Sequence, residues 1–251
     1  MTMADRSISL ASEKAAERGE PSYVWRAGQE RRLAMIKEWA GERTKGMLLE
    51  SGCGLGEYLT RLSKEARMAV GVDIELSRLL EAKAKNKHLV CAAVERLPFQ
   101  AGQFDLVLSN EVIEHVEDDG EALAESARVM KNGGRLALFC PNRGYPFETH
   151  GIYRRGRYRF GNKLFVNYLP KRWRDKLAPH VRVYTRRSLA ALFKPLPLKV
   201  VHQRVIFGAY DNIIQKWPLA GKTLRGFTQF LEKTPLRALG LSHFWVAEKE
   251  G

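Results

Sequence analysis

The stretch Met47-Leu48-Leu49-Glu50-Ser51-Gly52-Cys53-Gly54-Leu55-Gly56-Glu57-Tyr58-Leu59 decides the fold. A short apolar run ends at an acid, a turn with three glycines follows, and a helix-like segment, Glu57 to Ala66, comes next. Glycines let the backbone take positive φ and let a ligand approach the main chain with no Cβ in the way. The start of the following helix offers free N–H groups and a positive dipole end, suited to a carboxylate or phosphate. A dinucleotide fingerprint, G-x-G-x-x-G, would need its third glycine at position 57, which is Glu57. The spacing here is Glu-x-Gly-x-Gly-x-Gly, which disfavours a dehydrogenase.

Outward from that turn the chain alternates strands and helices. Gly28 to Ala40 reads as an amphipathic helix on the spacing of Leu33, Ile36 and Trp39. Met68–Asp73, His88–Ala92, Phe104–Ser109 and Arg135–Cys140 follow Met47–Glu50 as strands two to five. Helices are expected over Glu75–Lys85 and Asp119–Lys131, the latter stopped by Asn132-Gly133-Gly134 as a glycine C-cap. Such alternation predicts an α/β fold: a Rossmann-like, mostly parallel sheet with helices on both faces. Ligands then lie at the carboxyl ends of the strands. Glu50 to Gly56, Asp73, Ala93-Val94-Glu95, Asn110-Glu111 and Pro141-Asn142 all fall on that one edge. Pro141 to Tyr184 breaks the rhythm, rich in arginine and aromatics. Beyond it Thr185–Phe193 reads as a helix with Thr185 as N-cap, Lys199–Phe207 and His243–Ala247 as strands, and Asp211–Leu239 as helical. The expected organisation is one domain over 1–251: an N-terminal arm and helix (1–45), a core (47–140), a cap inserted after the fifth strand (141–187), and a C-terminal part (188–251) with an insertion between the last two strands.

At 251 residues and 45% hydrophobic content the chain has the composition of a globular domain, not a disordered one. The net charge of +14 fits an anionic partner, or a merely soluble basic surface. Cys53, Cys91 and Cys140 form no CxxC pair, so neither a zinc site nor a disulfide framework is indicated, and all three read as small buried residues. Met1 to Glu20 reads as a polar arm with no signal-peptide core, and no stretch approaches a membrane span, so a cytoplasmic location is expected.

Asp73 stands about 20 residues beyond the glycine turn, where a carboxylate can bond both hydroxyls of a ribose diol. With that residue in place, a set of motifs in fixed order resembles the class I S-adenosylmethionine-dependent methyltransferases, in the branch that includes the ubiquinone-biosynthesis enzymes. The set is Glu50-Ser-Gly-Cys-Gly-Leu-Gly56, Val70-Gly-Val-Asp-Ile74, Glu95-Arg-Leu-Pro-Phe99, Phe104-Asp-Leu-Val107, Glu111-Val-Ile-Glu-His-Val116 and Met130-Lys-Asn-Gly-Gly-Arg135. The resemblance runs from about Met47 to Cys140 and implies the class I methyltransferase architecture with S-adenosylmethionine as cofactor. It implies that Glu50 and the turn Gly52, Cys53, Gly54, Gly56 hold the methionine part, that Asp73 holds the ribose, and that Ile74 packs on the adenine. It further implies the Val94 backbone and Glu95 at the adenine edge, and Asn110 and Glu111 beside the methionine moiety. The family often has an acid where Ala93 stands; alanine offers the adenine amino group no acceptor, which leaves Glu95 or no replacement for that contact.

Methyl transfer is positioning catalysis, helped by a general base when the acceptor is a hydroxyl. His115, His150 and His180 are the candidates, with His150 in Phe147-Glu-Thr-His-Gly151 also readable as a loop histidine bonded to nearby backbone. Glu111, Glu114 and His115 form E-x-x-E-H, similar to a divalent metal site in some family members, or simply a solvated turn; the site is read as metal-free. Tyr23, Arg26 and Arg31 either cover the cofactor or are surface residues. The expected acceptor is a small or lipid-like molecule, anionic if the cap cations hold it, with peripheral membrane contact through the cap. The aromatic–arginine interleaving also fits an RNA methyltransferase, but Asn110 is followed by Glu-Val-Ile and no RNA-binding module is recognisable. A nonenzymatic binding module is the third reading, opposed by the intact turn and Asp73.

Overall fold

The structure, a computed structural model, describes residues 25–251. Tyr23 and the arm expected over Met1–Glu20 lie outside the described residues. The centre is a seven-stranded sheet in the order β10-β11-β5-β4-β1-β2-β3. Its strands are β1 (Met47–Ser51), β2 (Met68–Asp73), β3 (Leu89–Cys91), β4 (Phe104–Asn110), β5 (Met130–Pro141), β10 (Leu198–Ile206) and β11 (Ser242–Lys249). The first five are parallel, with Leu48 opposite both Ala69 and Leu106, and β11 runs antiparallel between β5 and β10. The expected α/β architecture with helices on both faces is the one observed.

Alternation along each strand divides the core into two layers. Leu48, Leu106, Leu108, Phe139 and Phe244 face α1 (Ala27–Ala40), which buries Leu33, Ile36 and Ala40 against them. Leu49, Val107, Leu136, Leu138 and Trp245 face the other way, under α4 (Asp119–Val129) and α6 (Arg186–Phe193), which supply Leu123, Ala127, Leu189 and Phe193. The remaining crossover helices are short: α2 (Glu57–Leu62) and α3 (Leu76–Ala82). Thr185 caps α6 as its sequence position implies, its Oγ1 accepting the Ser188 N–H at 3.0 Å.

Three expectations need correction. Gly133-Gly134 does not cap α4, which ends at an extended Met130 where β5 already begins. Pairing jumps from Phe104–Met130 to Leu106–Arg135, so residues 131–134 bulge, with Gly133 at φ +73°. A Cβ on Gly134 would stand 2.9 Å from the Lys131 carbonyl oxygen, so the pair serves the bulge. Cys91, read as buried, is exposed, while Cys53 and Cys140 are buried; all three are free. The cap is less irregular than its sequence suggests. It holds β6 (Phe147–Glu148) paired with β9 (Lys163–Leu164), the hairpin β7 (Ile152–Arg154) with β8 (Arg157–Arg159), and α5 (Lys171–Leu177). The hairpin turns on Arg155 and Gly156, both at positive φ, as a two-residue loop between twisted strands requires. The helical insertion before β11 is α7 (Asp211–Lys216), α8 (Pro218–Leu231) and a 3-10 turn over Pro235–Leu239. Among the described residues no helix is long and apolar enough to cross a membrane.

Candidate active site

A cavity of about 1570 Å³ opens along the carboxyl ends of the parallel strands, roofed by the cap. It brings together Glu50, Gly52, Cys53, Gly54, Asp73, Ile74, Val94, Glu95, Asn110, Glu111, His115 and His150. Gly56 does not line it. That residue sits at φ +70° at the start of α2, and a Cβ there would fall 2.4 Å from the Asn86 amide nitrogen. It is a turn and packing glycine.

The glycine turn is held by its own backbone. Gly52 and Cys53 both donate to the Val72 carbonyl at 2.8 Å, and the Gly54 N–H donates to Asp73 Oδ2 at 2.8 Å. The other Asp73 oxygen accepts the Glu75 N–H at 2.8 Å. At Gly54, φ is +51° and an added Cβ would meet no atom within 4 Å, so the bare backbone faces open cavity. Beneath it Glu50 is 3% exposed, and its Oε2 has no hydrogen-bond partner. Burial pushes its pKa up to about 8, against a smaller pull from the Leu59 backbone and a further push from Asp73. An orphaned acceptor beside a bare glycine and an acid at the end of β2 fits a ligand that carries an ammonium group and a diol.

Arg32, which no sequence motif singles out, is one of the cations lining this site. Its guanidinium donates to Asn110 Oδ1 at 2.8 Å and Ser242 Oγ at 2.9 Å and pairs with Glu111 at 2.8 Å. Arg26 does not line the cavity and bonds Asn212 at 2.9 Å, while Arg31 lines it but gives its guanidinium to both oxygens of Glu232. The signal was available: Arg32 lies four and eight residues before Ile36 and Ala40, on the buried stripe of α1, and a charge in that register demands a partner. Glu111 adopts φ +55°, a costly conformation for this residue type, to present its carboxylate to Arg32.

Farther along the cavity lies a cluster of acids and imidazoles. Glu114 is buried against Glu111; burial, the Glu111 charge and a hydrogen bond between the two carboxyls push its pKa well above the ordinary carboxylate range. Burial pulls the His115 imidazole down to about 4, with His150 adding to the effect. His150 presents Nδ1 to Glu148 Oε1 at 3.0 Å, and the same oxygen accepts the His150 N–H at 2.9 Å. The other Glu148 oxygen accepts from buried Arg174 at 3.0 Å. The His115 and His150 ring centroids are 5.2 Å apart. His180 instead places Nε2 3.2 Å from the His150 carbonyl, as a structural residue. The E-x-x-E-H set does not converge as spaced: Glu111 turns to Arg32, while Glu114, His115 and His150 keep ligand-type atoms within 4.8 Å of one another.

The cap cations divide in two. Arg143, Arg174 and Arg182 border the cavity but spend donors on main-chain carbonyls. Arg154, Arg155, Arg157 and Arg159, among the cap cations expected to hold an anionic acceptor, sit exposed on the β7–β8 hairpin and do not line the cavity. The cap contributes Tyr145, Phe147 and Tyr184 to the lining, beside Tyr58 and Phe207 from outside it.

Residues 49–138 match the methyltransferase domain family. That segment, about a third of the chain, is what the family match covers. Over 149 residues it is 32% identical to a malonyl-[acyl-carrier protein] O-methyltransferase of Pseudescherichia vulneris, spanning 58% of this chain and 57% of the relative. Over 111 residues it is 34% identical to the ubiquinone biosynthesis O-methyltransferase of Nitrobacter winogradskyi, spanning 42% of each. The chain thus spans about half the length of the curated relatives it matches. A Mesorhizobium loti S-adenosylmethionine-dependent methyltransferase shares the fold with a TM-score of 0.61 and 16% identity, over 87% of this chain and 98% of that one. A Burkholderia thailandensis 1,6-didemethyltoxoflavin-N1-methyltransferase, solved with S-adenosylhomocysteine, aligns over 100% and 92% with a TM-score of 0.57 and 17% identity. The matched segment ends within β5, so the cap, with Glu148, His150 and Arg174, lies outside it.

Proposed function

We propose that the chain transfers a methyl group from S-adenosylmethionine to a small-molecule or lipid-like acceptor held beneath the cap. The observation that carries this reading is one cavity lined both by Glu50, Gly54 and Asp73 and by His150 with its partner Glu148. Its volume exceeds that of a typical single-ligand pocket, leaving room for two ligands side by side. Bound there, the cofactor supplies an electrophilic methyl on a sulfonium. Glu50 would accept from its ammonium group and Asp73 from its ribose, with Ile74, Val94 and Glu95 about the adenine and Asn110 and Glu111 along the methionine.

The remaining work falls to this chain's own residues. Glu148, itself anchored by Arg174, orients the His150 ring through Nδ1, which leaves Nε2 to take a proton from an acceptor hydroxyl. Burial disfavours charge on Glu114 and His115, and Glu148 is matched by Arg174, so little unpaired charge stands beside His150. Tyr145, Phe147 and Tyr184 would wall an apolar body on the acceptor.

Calorimetric titration with S-adenosylhomocysteine and with NAD tests the cofactor class: binding of the first alone is expected. Incubation with methyl-labelled cofactor and separate lipid, small-molecule and RNA extracts then tests the acceptor. Label confined to RNA would displace the small-molecule reading.

A further inference from the structure

We propose that the outer face of α7 and α8 seats the protein on an anionic phospholipid bilayer. The face lies outside the cap, and the proposal does not depend on which acceptor is methylated.

Helix α8 turns three of its large apolar residues outward, while Leu224 and Leu231 are half-buried. Gly221 and Thr228 are the residues it buries, while Leu219 is 82%, Phe227 59% and Phe230 61% exposed. Trp217, which joins the two helices, is 70% exposed. At 3.6 residues per turn, Leu219, Phe227 and Phe230 fall within an arc of about 80°. The arrangement is built in, because a Cβ on Gly221 would stand 2.7 Å from Ile214 of α7. The small residue lets the two helices meet closely and leaves Leu219, Phe227 and Phe230 outside. A stripe of this kind marks an interaction surface.

Charge selects the partner. Lys216, Lys222, Lys233 and Arg237 stand around the stripe, and among the described residues no ion pair engages any of them. The two acids of the segment are turned inward. Asp211 accepts the Gly28 N–H at 3.1 Å, and Glu232 is held by Arg31, Arg204 and the Phe207 N–H. The face therefore combines aliphatic and aromatic groups with uncompensated positive charge. A second copy in a two-fold contact would set these lysines against themselves. Nucleic acid would use the cations but gain little from Leu219. An anionic bilayer takes both, the apolar stripe at the acyl boundary and the lysines among the headgroups. Asp211 and the preceding Phe207–Ala209 also border the cavity, so the seating face adjoins the mouth through which a lipid-like molecule would enter.

The test is co-sedimentation of the full chain with vesicles of phosphatidylcholine alone and of phosphatidylcholine mixed with phosphatidylglycerol. Two variants are compared: Leu219→Ser, Phe227→Ser and Phe230→Ser combined, and Lys216→Gln, Lys222→Gln and Lys233→Gln combined. Circular dichroism and thermal unfolding check that each folds. The wild type is expected to pellet with the anionic vesicles in a salt-dependent way, and each variant to lose at least about tenfold in partitioning. Should the apolar variant not fold, the lysine variant decides. Absence of wild-type binding to anionic vesicles overturns the proposal, as does wild-type partitioning by a folded variant. So does a wild-type dimer in sedimentation equilibrium that the apolar variant dissociates, with no vesicle binding, or RNA binding in place of vesicle binding.

Discussion

Asp73 holds the Gly54 N–H at 2.8 Å with one carboxylate oxygen, while the other takes the N–H of Glu75. One side chain thus fixes the glycine turn and the entry to α3, and each oxygen keeps a lone pair for a ligand hydroxyl. Asp73→Ala should therefore act twice. Affinity for S-adenosylhomocysteine should fall by about 1–3 kcal/mol, and the free protein should also unfold at lower urea. Asp73→Asn keeps the shape and one acceptor, and should lie between. Unchanged affinity in the alanine variant would remove Asp73 from the site.

Gly52 and Gly54 share positive φ but differ in what surrounds them, and that difference is measurable. A Cβ on Gly52 would lie 2.4 Å from Val112, whereas one on Gly54 meets nothing in the protein. Gly54→Val should fold, at a cost of about 1–2 kcal/mol for the left-handed backbone, yet fail to bind S-adenosylhomocysteine. Gly52→Val should be the less stable of the two, because side chains of the core must move. Tight binding by a folded Gly54→Val protein would mean that the ligand does not rest on this turn.

The contrast between those glycines shows what sequence could and could not yield. The positions of the strands along the chain and the ligand edge were legible, because apolar runs that end at polar or acidic residues are local patterns. Gly56 was misassigned because its neighbour, Asn86, is thirty positions away and nothing local announces it. The same holds for the arginines. Arg154, Arg155, Arg157 and Arg159 cluster in sequence but sit on an exposed hairpin, while buried Arg174 and Arg32 earn their place through partners distant along the chain. Composition marks a basic cap; only tertiary pairing tells a solvated cation from a structural one. The outward stripe of α8 was likewise hidden, since its amphipathic spacing reads the same whichever face is covered.

Glu50 makes cofactor binding pH-dependent with a definite sign. Its folded pKa of about 8 lies above the ordinary glutamate value of about 4.3, so the folded free protein holds a proton that the unfolded chain releases across that window. Its contribution to stability is full below about pH 4.3 and is lost as pH rises toward 8. A ligand ammonium favours the ionised carboxylate, so binding at neutral pH should expel a proton. Calorimetry in two buffers of different ionisation enthalpy should report that release, and affinity should rise from pH 6 to 8. Glu50→Gln should abolish both effects; a proton release that survives the substitution belongs to another group.

The buried pair of Glu148 and Arg174 offers the last prediction. Glu148 is 1% and Arg174 4% exposed, and they meet at 3.0 Å. Burial alone would raise the Glu148 pKa, but bonding to His150 and the charge of Arg174 outweigh it and hold the carboxyl low. Arg174→Met removes one charge and leaves the other buried, which should cost about 3–5 kcal/mol in urea unfolding at pH 7. Glu148→Gln combined with Arg174→Met leaves no buried charge and should recover a good part of that loss. The sign with pH follows from the depressed carboxylate. Its stabilisation is present above the unfolded value of about 4.3 and is lost as pH falls through the folded one. In Arg174→Met the carboxyl takes up a proton more readily, so the gap between variant and wild type should narrow as pH drops from 7 toward 4. A gap that stays constant over that range would show that Arg174 stabilises the cap through its bond to the Val181 carbonyl and its packing, not through Glu148.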